Sequence, residues 1–182
     1  MAGLKKDILI EKITADTPDL QSKTAAIATL AEEIWREHYT PIIGAGQVDY
    51  MLEKFQSPGR IYEDIMSGGY IYYTAARGET NGIIGYCACQ PQDGRLLLSK
   101  LYVRKSNRGQ GVARRFLNEA IALCRQEYGL DKIYLTVNKY NNDSIAAYKK
   151  MNFVIIDSVK TDIGGGFYMD DYIMELDVNE IS

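Results

Sequence analysis

The sequence lacks several features that would define a class of protein at once. The apolar run near its start, within MAGLKKDILIEKITADTPD, is short and broken by charge, so it predicts neither a signal peptide nor a membrane span. Basic and acidic residues number 21 and 24, which gives a net charge of -3 and argues against a nucleic-acid-binding protein. We therefore expect a cytoplasmic protein with neither a membrane nor a nucleic acid as partner.

Cysteine is also scarce. Cys87, Cys89 and Cys124 cannot all pair, and the first two are spaced for an alternating strand instead of a metal-binding knuckle. This pattern predicts buried thiols in a reducing compartment, without a disulfide framework or a metal site. The chain also has no internal repeat and no linker-like segment, so its 182 residues predict a single domain, 1–182.

The two common nucleotide-binding signatures are missing as well. No Lys-Ser or Lys-Thr follows the glycines of the segment NRGQGVA as in a P-loop, and no third glycine completes a dinucleotide fingerprint. What is present is an apolar strand-like run, Leu96–Val103, then a basic turn with two glycines, then a helical pattern that begins at the turn.

This strand, turn and helix predict an anion site. The first N–H groups of the helix have no intrahelical partner and point into the turn, where the positive end of the macrodipole also lies. Arg108 adds a cation, Gly111 permits close approach of a ligand to the backbone, and Ala113 is small. From these residues alone, a second interpretation stays open, in which Gly109 and Gly111 only permit a tight connection.

The order of elements along the chain predicts an α+β fold, with a mixed, mostly antiparallel sheet of about seven strands and helices on both faces. Lys132–Val137 should lie parallel to Leu96–Val103, because a long helix connects them. Pro41 and residues 44–46 are expected to end the first helix, and residues 162–166 to form a flexible segment. The other predicted strands are Ile8–Ile13, Tyr70–Ala76, Ile83–Gln90, Phe153–Ser158 and Phe167–Leu176; the other predicted helices are Ser22–Tyr39, Gln47–Phe55, Arg60–Met66 and a turn-capped helix within Asn138–Met151.

Two segments, LYVRKSNRGQGVARRFLNEAI and IYLTVNKYNNDSIAAYKKMNF, together resemble the GCN5-related N-acetyltransferase (GNAT) superfamily. The resemblance implies the GNAT fold, with the sheet splayed between its fourth and fifth strands. It implies acetyl-CoA as cosubstrate and no metal. The cofactor-binding residues that it implies are Leu101, Tyr102, Val103, Arg108, Gly109, Gln110, Gly111, Val112, Ala113, Asn141, Ser144 and Tyr148.

Within that set, the resemblance assigns roles. The turn Arg108–Ala113 would bind the pyrophosphate, and the backbone of Leu101–Val103 would bond to the pantetheine amides. Asn141 would contact the CoA arm, and Tyr148 would be catalytic, as a hydrogen-bond donor to the leaving thiolate. Tyr148 as a plain aromatic core residue is the alternative.

The sequence departs from the family pattern in two places. Ser144 stands where the family usually has alanine, and Asn152 stands where a glycine usually follows the helix. That second slot tends to need a left-handed backbone, which asparagine tolerates next best.

The implied reaction is direct attack of a neutral amine on the acetyl carbonyl in a ternary complex, and the sequence does not identify the base. Trp35, Glu37, His38 and Tyr39 are candidate acceptor-binding residues, although His38, the only histidine, also fits a surface or helix-capping role. The nearby acidic residues Glu32, Glu33 and Asp49 fit a solvated helix face better than a site. Asp170 and Asp171 gain some weight because the run GGFYMDDYIM resembles polyamine acetyltransferases of the superfamily; the alternative is a bulge or turn in the final hairpin.

The sequence thus predicts an acetyl-CoA-dependent N-acetyltransferase acting on a primary amine of a small molecule, with a polyamine as the first candidate. A protein or peptide N-acetyltransferase and a catalytically silent acyl-CoA sensor are the alternatives. A homodimer is a further possibility, since the fourteen tyrosines and the final strands are candidates for an interface.

Overall fold

The computed structural model describes residues 8–78 and 82–181, and within these ranges seven strands form one sheet. The strands are β1 (Ile8–Ile13), β2 (Ile71–Arg77), β3 (Ile83–Gln92), β4 (Arg95–Val103), β5 (Lys132–Asn138), β6 (Val154–Gly164) and β7 (Phe167–Asp177). The helices are α1 (Leu20–His38), α2 (Thr40–Ile43), α3 (Ala45–Gln56), α4 (Pro58–Met66), α5 (Val112–Ala122) and α6 (Asn142–Lys150); a π-helical turn, Leu123–Glu127, extends α5.

The sheet has the strand order β1-β2-β3-β4-β5-β7-β6. Every neighbouring pair is antiparallel except β4 and β5, which are parallel and connected through α5. This confirms the predicted mixed sheet and its single β-α-β unit. The α+β fold class is therefore as the sequence predicts.

The parallel pair separates soon after it begins. Only Leu96 with Ile133 and Leu97 with Tyr134 are in register, at the start of both strands. A β-bulge follows at once, because Leu98 is opposite Cys89 and Lys100 is opposite Ala88, which leaves Ser99 as the extra residue. A bulge bends its strand and increases the local twist. The predicted splay between the fourth and fifth strands is thus present, and we call this gap the opening.

Helices cover both faces of the sheet, and each face has its own apolar core. On one face α5 and α6 bury Phe116, Leu117 and Ile145 against the sheet. On the other face α1, α3 and α4 form a second core around Ile27, Trp35, Val48 and Ile61, among others. Gly85 lets α5 lie close to the sheet: a Cβ there would come within 2.8 Å of the Tyr102 carbonyl oxygen and 3.1 Å of the Phe116 ring.

Two segments are more regular than the sequence predicts. The first helix does end before Pro41, since α1 stops at His38, but the chain after it is helical again: Pro41 lies inside the short helix α2, and Ala45 already begins α3. Proline is tolerated there, since its missing N–H would be unpaired in a first helical turn anyway. Residues 162–166 are also more regular than expected, because β6 continues to Gly164 and β7 begins at Phe167. Part of the loop between β2 and β3, residues 79–81, lies outside the described residues.

One unusual backbone prediction is confirmed. Asn152, which follows α6, has a φ of 70°, in the left-handed region. The Phe153 N–H donates to the Tyr148 carbonyl oxygen at 3.0 Å, which completes the end of this helix. The three cysteines are all buried thiols, as the sequence predicts.

Candidate active site

The glycine turn presents an uncapped helix end. Gly111 is the N-cap of α5, with a φ of 85°, and it has no side chain to cap the helix. The first helical hydrogen bond runs from the Arg115 N–H to the Gly111 carbonyl at 3.1 Å, so the N–H groups before Arg115 are left without intrahelical partners. This is the arrangement that binds phosphate at a helix N-terminus.

Arg108 ties this turn to the end of β4. Its Nε donates to the Val103 carbonyl oxygen at 3.1 Å. The Arg104 N–H donates to Ile84 on β3 at 2.8 Å. Because successive residues of an antiparallel strand point their backbone groups to opposite sides, those of Val103 and Leu101 point away from β3, towards the opening. The strand end can therefore accept a further hydrogen-bonded ligand there.

A groove of about 350 Å³ runs from this turn to the opening, between β4, α5 and α6. Ten of the twelve predicted cofactor residues line it: Leu101, Tyr102, Val103, Arg108, Gly109, Gly111, Val112, Ala113, Ser144 and Tyr148. Arg114 and Lys150 add cationic side chains to its wall. The groove thus combines positive charge, free backbone donors at a helix end and an apolar floor.

The two remaining predicted cofactor residues have other contacts. The Gln110 side chain is bonded to the Arg77 side chain, and its Nε2 donates to the Ser106 carbonyl at 2.9 Å, so it braces the turn from outside. Asn141 is buried and caps α6, where its Oδ1 accepts from the Ser144 N–H at 3.3 Å. The same side chain lies 3.1 Å from His38 Nε2 and donates to the Tyr39 hydroxyl at 3.4 Å. Asn141 therefore joins α6 to the end of α1.

A smaller cavity of about 100 Å³ lies on the other side of the opening, and we call it the small cavity. It shares Tyr39, Leu101, Tyr102 and Tyr148 with the groove. Its remaining lining comes from α1, α2, α3, β4, β5 and β7: Trp35, Ile43, Gln47, Met51, Leu98, Ser99, Thr136, Val137, Asn138, Met169 and Asp171. Two ligands that approach from opposite faces of the sheet would meet at the four shared residues.

Asp171 is the only side chain with a formal charge among the residues that line the small cavity. The residue is 5% exposed, and burial raises the pKa of its carboxyl from 3.8 to about 6. The neighbouring Asp170 raises this pKa further, while Lys139 opposes the shift. Asp170 itself forms an ion pair with Lys139 at 2.6 Å. The sequence gives these two aspartates equal weight. In the structure Asp171 lines the small cavity, whereas Asp170 does not and is paired with Lys139.

Tyrosine hydroxyls surround the same point. Burial raises the pKa of Tyr148, so its hydroxyl stays protonated at neutral pH. Burial also raises the pKa of Tyr39 to about 12, against the hydrogen bonds to Tyr102 and Asn141. Trp35, Tyr39 and Tyr102 form an aromatic group, with the Trp35 and Tyr39 rings 4.5 Å apart. The site can therefore donate a hydrogen bond from a hydroxyl and accept a proton at a carboxylate.

The structure divides the candidate acceptor residues. Trp35 and Tyr39 line the small cavity, whereas His38 lines the groove and contacts Asn141. Glu37 is exposed and forms an ion pair with Lys105 at 3.1 Å.

Within residues 8–78 and 82–181, no group of three or more His, Cys, Asp and Glu side chains is placed to hold a metal ion. Over the same part of the chain, no helix has the length and apolar character needed to cross a membrane.

The parallel strand pair opens between the glycine turn at the start of α5 and a buried cavity, as the resemblance to GNAT acetyltransferases implies. Comparison with protein-family models agrees: residues 27–153 match the model of the Acetyltransferase (GNAT) family. The chain belongs to the GNAT acetyltransferase family. No curated protein matches the sequence significantly.

Solved structures share the fold at low sequence identity. One is the PaiA N-acetyltransferase of Thermoplasma acidophilum in complex with coenzyme A, with a TM-score of 0.76, 19% identity, and 94% of this chain and 99% of that chain covered. The ribosomal-protein-S5-alanine acetyltransferase of Vibrio fischeri has a TM-score of 0.68, 15% identity and coverages of 96% and 95%. A chimera of the spermidine N-acetyltransferase SpeG from Vibrio cholerae and hSSAT has a TM-score of 0.64, 18% identity and coverages of 94% and 98%.

Proposed function

We propose that this protein transfers the acetyl group of acetyl-CoA to a primary amine of a small molecule, in a ternary complex and without an acetylated enzyme. The observation that carries the proposal is the meeting of the groove and the small cavity at Tyr39, Leu101, Tyr102 and Tyr148. Two reactants held on opposite faces of the sheet would touch only there. Such positioning supplies much of the rate of a two-substrate reaction.

On the cofactor side, the N-terminus of α5 and Arg108 would bind the pyrophosphate, and the backbone of Leu101 and Val103 would bond to the pantetheine arm. A backbone N–H near Val103 would polarise the acetyl carbonyl. Asn141 lies behind the groove, so its role in this proposal is to position α6 against α1. That placement fixes Ser144 and Tyr148 on the groove wall.

On the acceptor side, Asp171 serves as the general base. Alkyl ammonium ions have a pKa of about 10, so the bound acceptor must lose a proton before or during attack. The ammonium group first gives one proton to solvent, so that a neutral amine attacks. Its nitrogen forms a bond to the acetyl carbon, the carbon–sulfur bond breaks with its electron pair on sulfur, and the remaining excess proton on nitrogen goes to Asp171. The Tyr148 hydroxyl donates a hydrogen bond to the departing sulfur. The raised pKa of Asp171, about 6, suits a base that works near neutral pH.

The small cavity, about 100 Å³, suits the amine end of an unbranched acceptor. A polyamine is the first candidate from the sequence, and a lysine or N-terminal amine of a peptide is the second. A silent acyl-CoA sensor is disfavoured by the buried carboxyl and the tyrosine that face the opening. The three buried thiols, none of them paired, support a reducing, cytoplasmic setting.

A homodimer also stays a prediction. Its support is the outer strand β6, which is the edge of the sheet and leaves Val154 60% exposed and Ile156 47% exposed.

Release of CoA, followed through its free thiol, tests the proposed function. The protein is given acetyl-CoA with and without a panel of monoamines, polyamines, amino acids and short peptides. We expect acceptor-dependent release for at least one small amine. Retained CoA binding without any acceptor-dependent release would contradict the enzyme and support the sensor, and release only with peptides would support the protein-modifying alternative.

A further inference from the structure

A third space extends the small cavity away from the opening. This outer chamber has a volume of about 300 Å³ and shares six lining residues with the small cavity: Trp35, Met51, Ser99, Tyr102, Thr136 and Met169. The two spaces therefore adjoin along a common wall. An acceptor whose amine lies beside Asp171 would place its other end in the outer chamber.

The charges of the outer chamber come from α4 and β4. Asp64 and Lys100 are both buried, and the Lys100 Nζ lies 3.1 Å from the Asp64 carboxylate. Arg60, one helical turn before Asp64, lies 2.8 Å from the other carboxylate oxygen. Lys100 reaches this face because of the bulge at Ser99; in a regular strand it would face the same side as Leu96 and Leu98.

Lys100 has a partner for each of its donors. Besides Asp64, its ammonium group contacts the Phe55 carbonyl oxygen at 3.3 Å and the Tyr72 hydroxyl. Burial lowers the pKa of Lys100, and the Asp64 carboxylate opposes this shift. The Lys100 Nζ is therefore fully engaged inside the protein, by a carboxylate, a carbonyl oxygen and a hydroxyl, and has no donor left for a ligand.

Arg60 is the more open cation. Its side chain is 48% exposed, against 5% for Asp64, and it lines the chamber. Asp64 engages one edge of the guanidinium group, which has further N–H donors in its plane. Lys100 and Asp64 offset each other as a buried pair, so the Arg60 guanidinium is the charged group of the lining that a ligand can reach. The small cavity at the other end has Asp171, a negative charge.

We propose that the outer chamber selects an acceptor with a carboxylate at the end opposite its amine, and that Arg60 binds this carboxylate. This inference rests on the proposed function and names its acceptor class. A charge-assisted, planar pairing of guanidinium and carboxylate gives both affinity and orientation. The second ammonium group of a polyamine would instead meet the like charge of Arg60, so this placement disfavours the polyamine that the sequence suggests first.

The test compares three acceptors with the same carbon chain: aminobutanoate with its amine at the chain end, the diamine with an amine at each end, and butylamine. Homologues with one or two more methylene groups are run beside them, so that chain length is not the limit. We expect kcat/KM for the best amino acid to exceed that for the matched diamine by about tenfold, since one interaction is attractive and the other repulsive. A diamine that is equal or better would overturn the inference.

Charge reversal at Arg60 gives the second arm. Arg60→Glu should lower kcat/KM for the amino acid by about tenfold, leave butylamine nearly unchanged and improve the diamine, while Arg60→Lys should retain most of the preference. Arg36→Glu is the matched control, because Arg36 is also about half exposed and paired with an acidic residue one turn away but does not line the chamber. Equal effects of both reversals, or no change of preference in Arg60→Glu, would contradict the role of Arg60.

Binding separates this inference from the proposed function. Calorimetric titration of CoA-saturated protein with the amino acid and with the diamine requires no turnover. Tighter binding of the amino acid, lost in Arg60→Glu, supports the inference even if no acceptor is acetylated. Turnover of amines without a preference for the amino acid would keep the proposed function and overturn the inference. Absence of binding by either compound would also overturn the inference.

Discussion

Asp171 and Tyr148 line the same small cavity from two different elements, β7 and α6. Burial raises the pKa of both side chains, to about 6 for Asp171. At neutral pH the carboxyl is therefore mostly ionised and able to accept a proton, whereas the phenol keeps its proton and donates. Within one cavity next to the opening in the sheet, Asp171 can accept a proton and Tyr148 can donate a hydrogen bond.

Tyr148→Phe tests the donor. Without the hydroxyl, the departing thiolate loses a hydrogen bond, so we expect kcat to fall by about tenfold to a hundredfold. The dissociation constant of acetyl-CoA, measured by calorimetry, should change little, because the ring is retained. Tyr140→Phe is the control, since Tyr140 is 69% exposed and lines neither the groove nor the small cavity. Unchanged turnover in Tyr148→Phe would remove the assigned role.

Asp171→Asn tests the base through the pH profile. In the unmodified protein, kcat/KM should rise with pH through about 6 as Asp171 loses its proton. The variant should lose this rise and be slower at pH 7 by about a hundredfold. Asp170→Asn, which removes the neighbouring carboxylate and its ion pair with Lys139, should keep a rise in the same region. The same rise in Asp171→Asn would point to another base.

The buried Asp171 carboxyl also has a predicted cost to stability. Its pKa is about 6 in the folded protein, against about 3.9 for an unfolded aspartate, so the folded state favours the protonated form. The favourable contribution is complete below about pH 4 and is lost as the pH rises through about 6. Asp171→Asn should therefore melt at a higher temperature than the unmodified protein at pH 8, and the difference should vanish near pH 4. A difference in melting temperature that stays constant from pH 4 to pH 8 would argue against the raised pKa of Asp171.

Arg108→Ala should weaken CoA binding, and more strongly at low salt, since the lost interaction is partly electrostatic. We expect the dissociation constant to rise by about tenfold. Lys105→Ala removes a cation from the same turn that does not line the groove, so it is the control for net charge. Equal loss of affinity in the two variants would mean that general charge, and not Arg108, binds the ligand.

Gly111→Ala tests the backbone of the turn. The residue has a φ of 85°, and an added Cβ would meet no atom within 4 Å, so the cost is backbone strain alone. We expect the free energy of unfolding, measured in urea, to fall by about 1–2 kcal/mol, together with weaker CoA binding. Gly59→Ala, which also meets no atom but has an ordinary helical backbone, should cost nothing. Similar losses of unfolding free energy in both variants would show that backbone strain at position 111 is not the cause.

Local signals explain what the sequence revealed. The Arg108–Ala113 turn between strand and helix and the left-handed Asn152 each depend on neighbours within a few residues, and each has the predicted position or backbone. The order and direction of the strands follow from connection rules, which depend on length and handedness rather than on particular side chains.

Long-range register explains what the sequence did not reveal. Asp171 faces the small cavity because β7 pairs with both β5 and β6, where it is opposite Asn138 and Val159. Lys100 faces the outer chamber because of one extra residue at Ser99, and a shift of one residue exchanges the two faces of a strand. The contacts of Asn141 with His38 and Tyr39 cross more than a hundred residues of sequence. The run GGFYMDDYIM drew attention to Asp170 and Asp171 together, but the local sequence does not tell which of the two faces the cavity.

In the proposed reaction the acetyl group passes directly from acetyl-CoA to an amine where the groove meets the small cavity. Initial rates measured while both acetyl-CoA and a productive amine are varied test this transfer most directly. We expect double-reciprocal lines that intersect, because both reactants must be bound together before the acetyl group moves. Parallel lines, together with an acetylated form of the protein after incubation with acetyl-CoA alone, would contradict it.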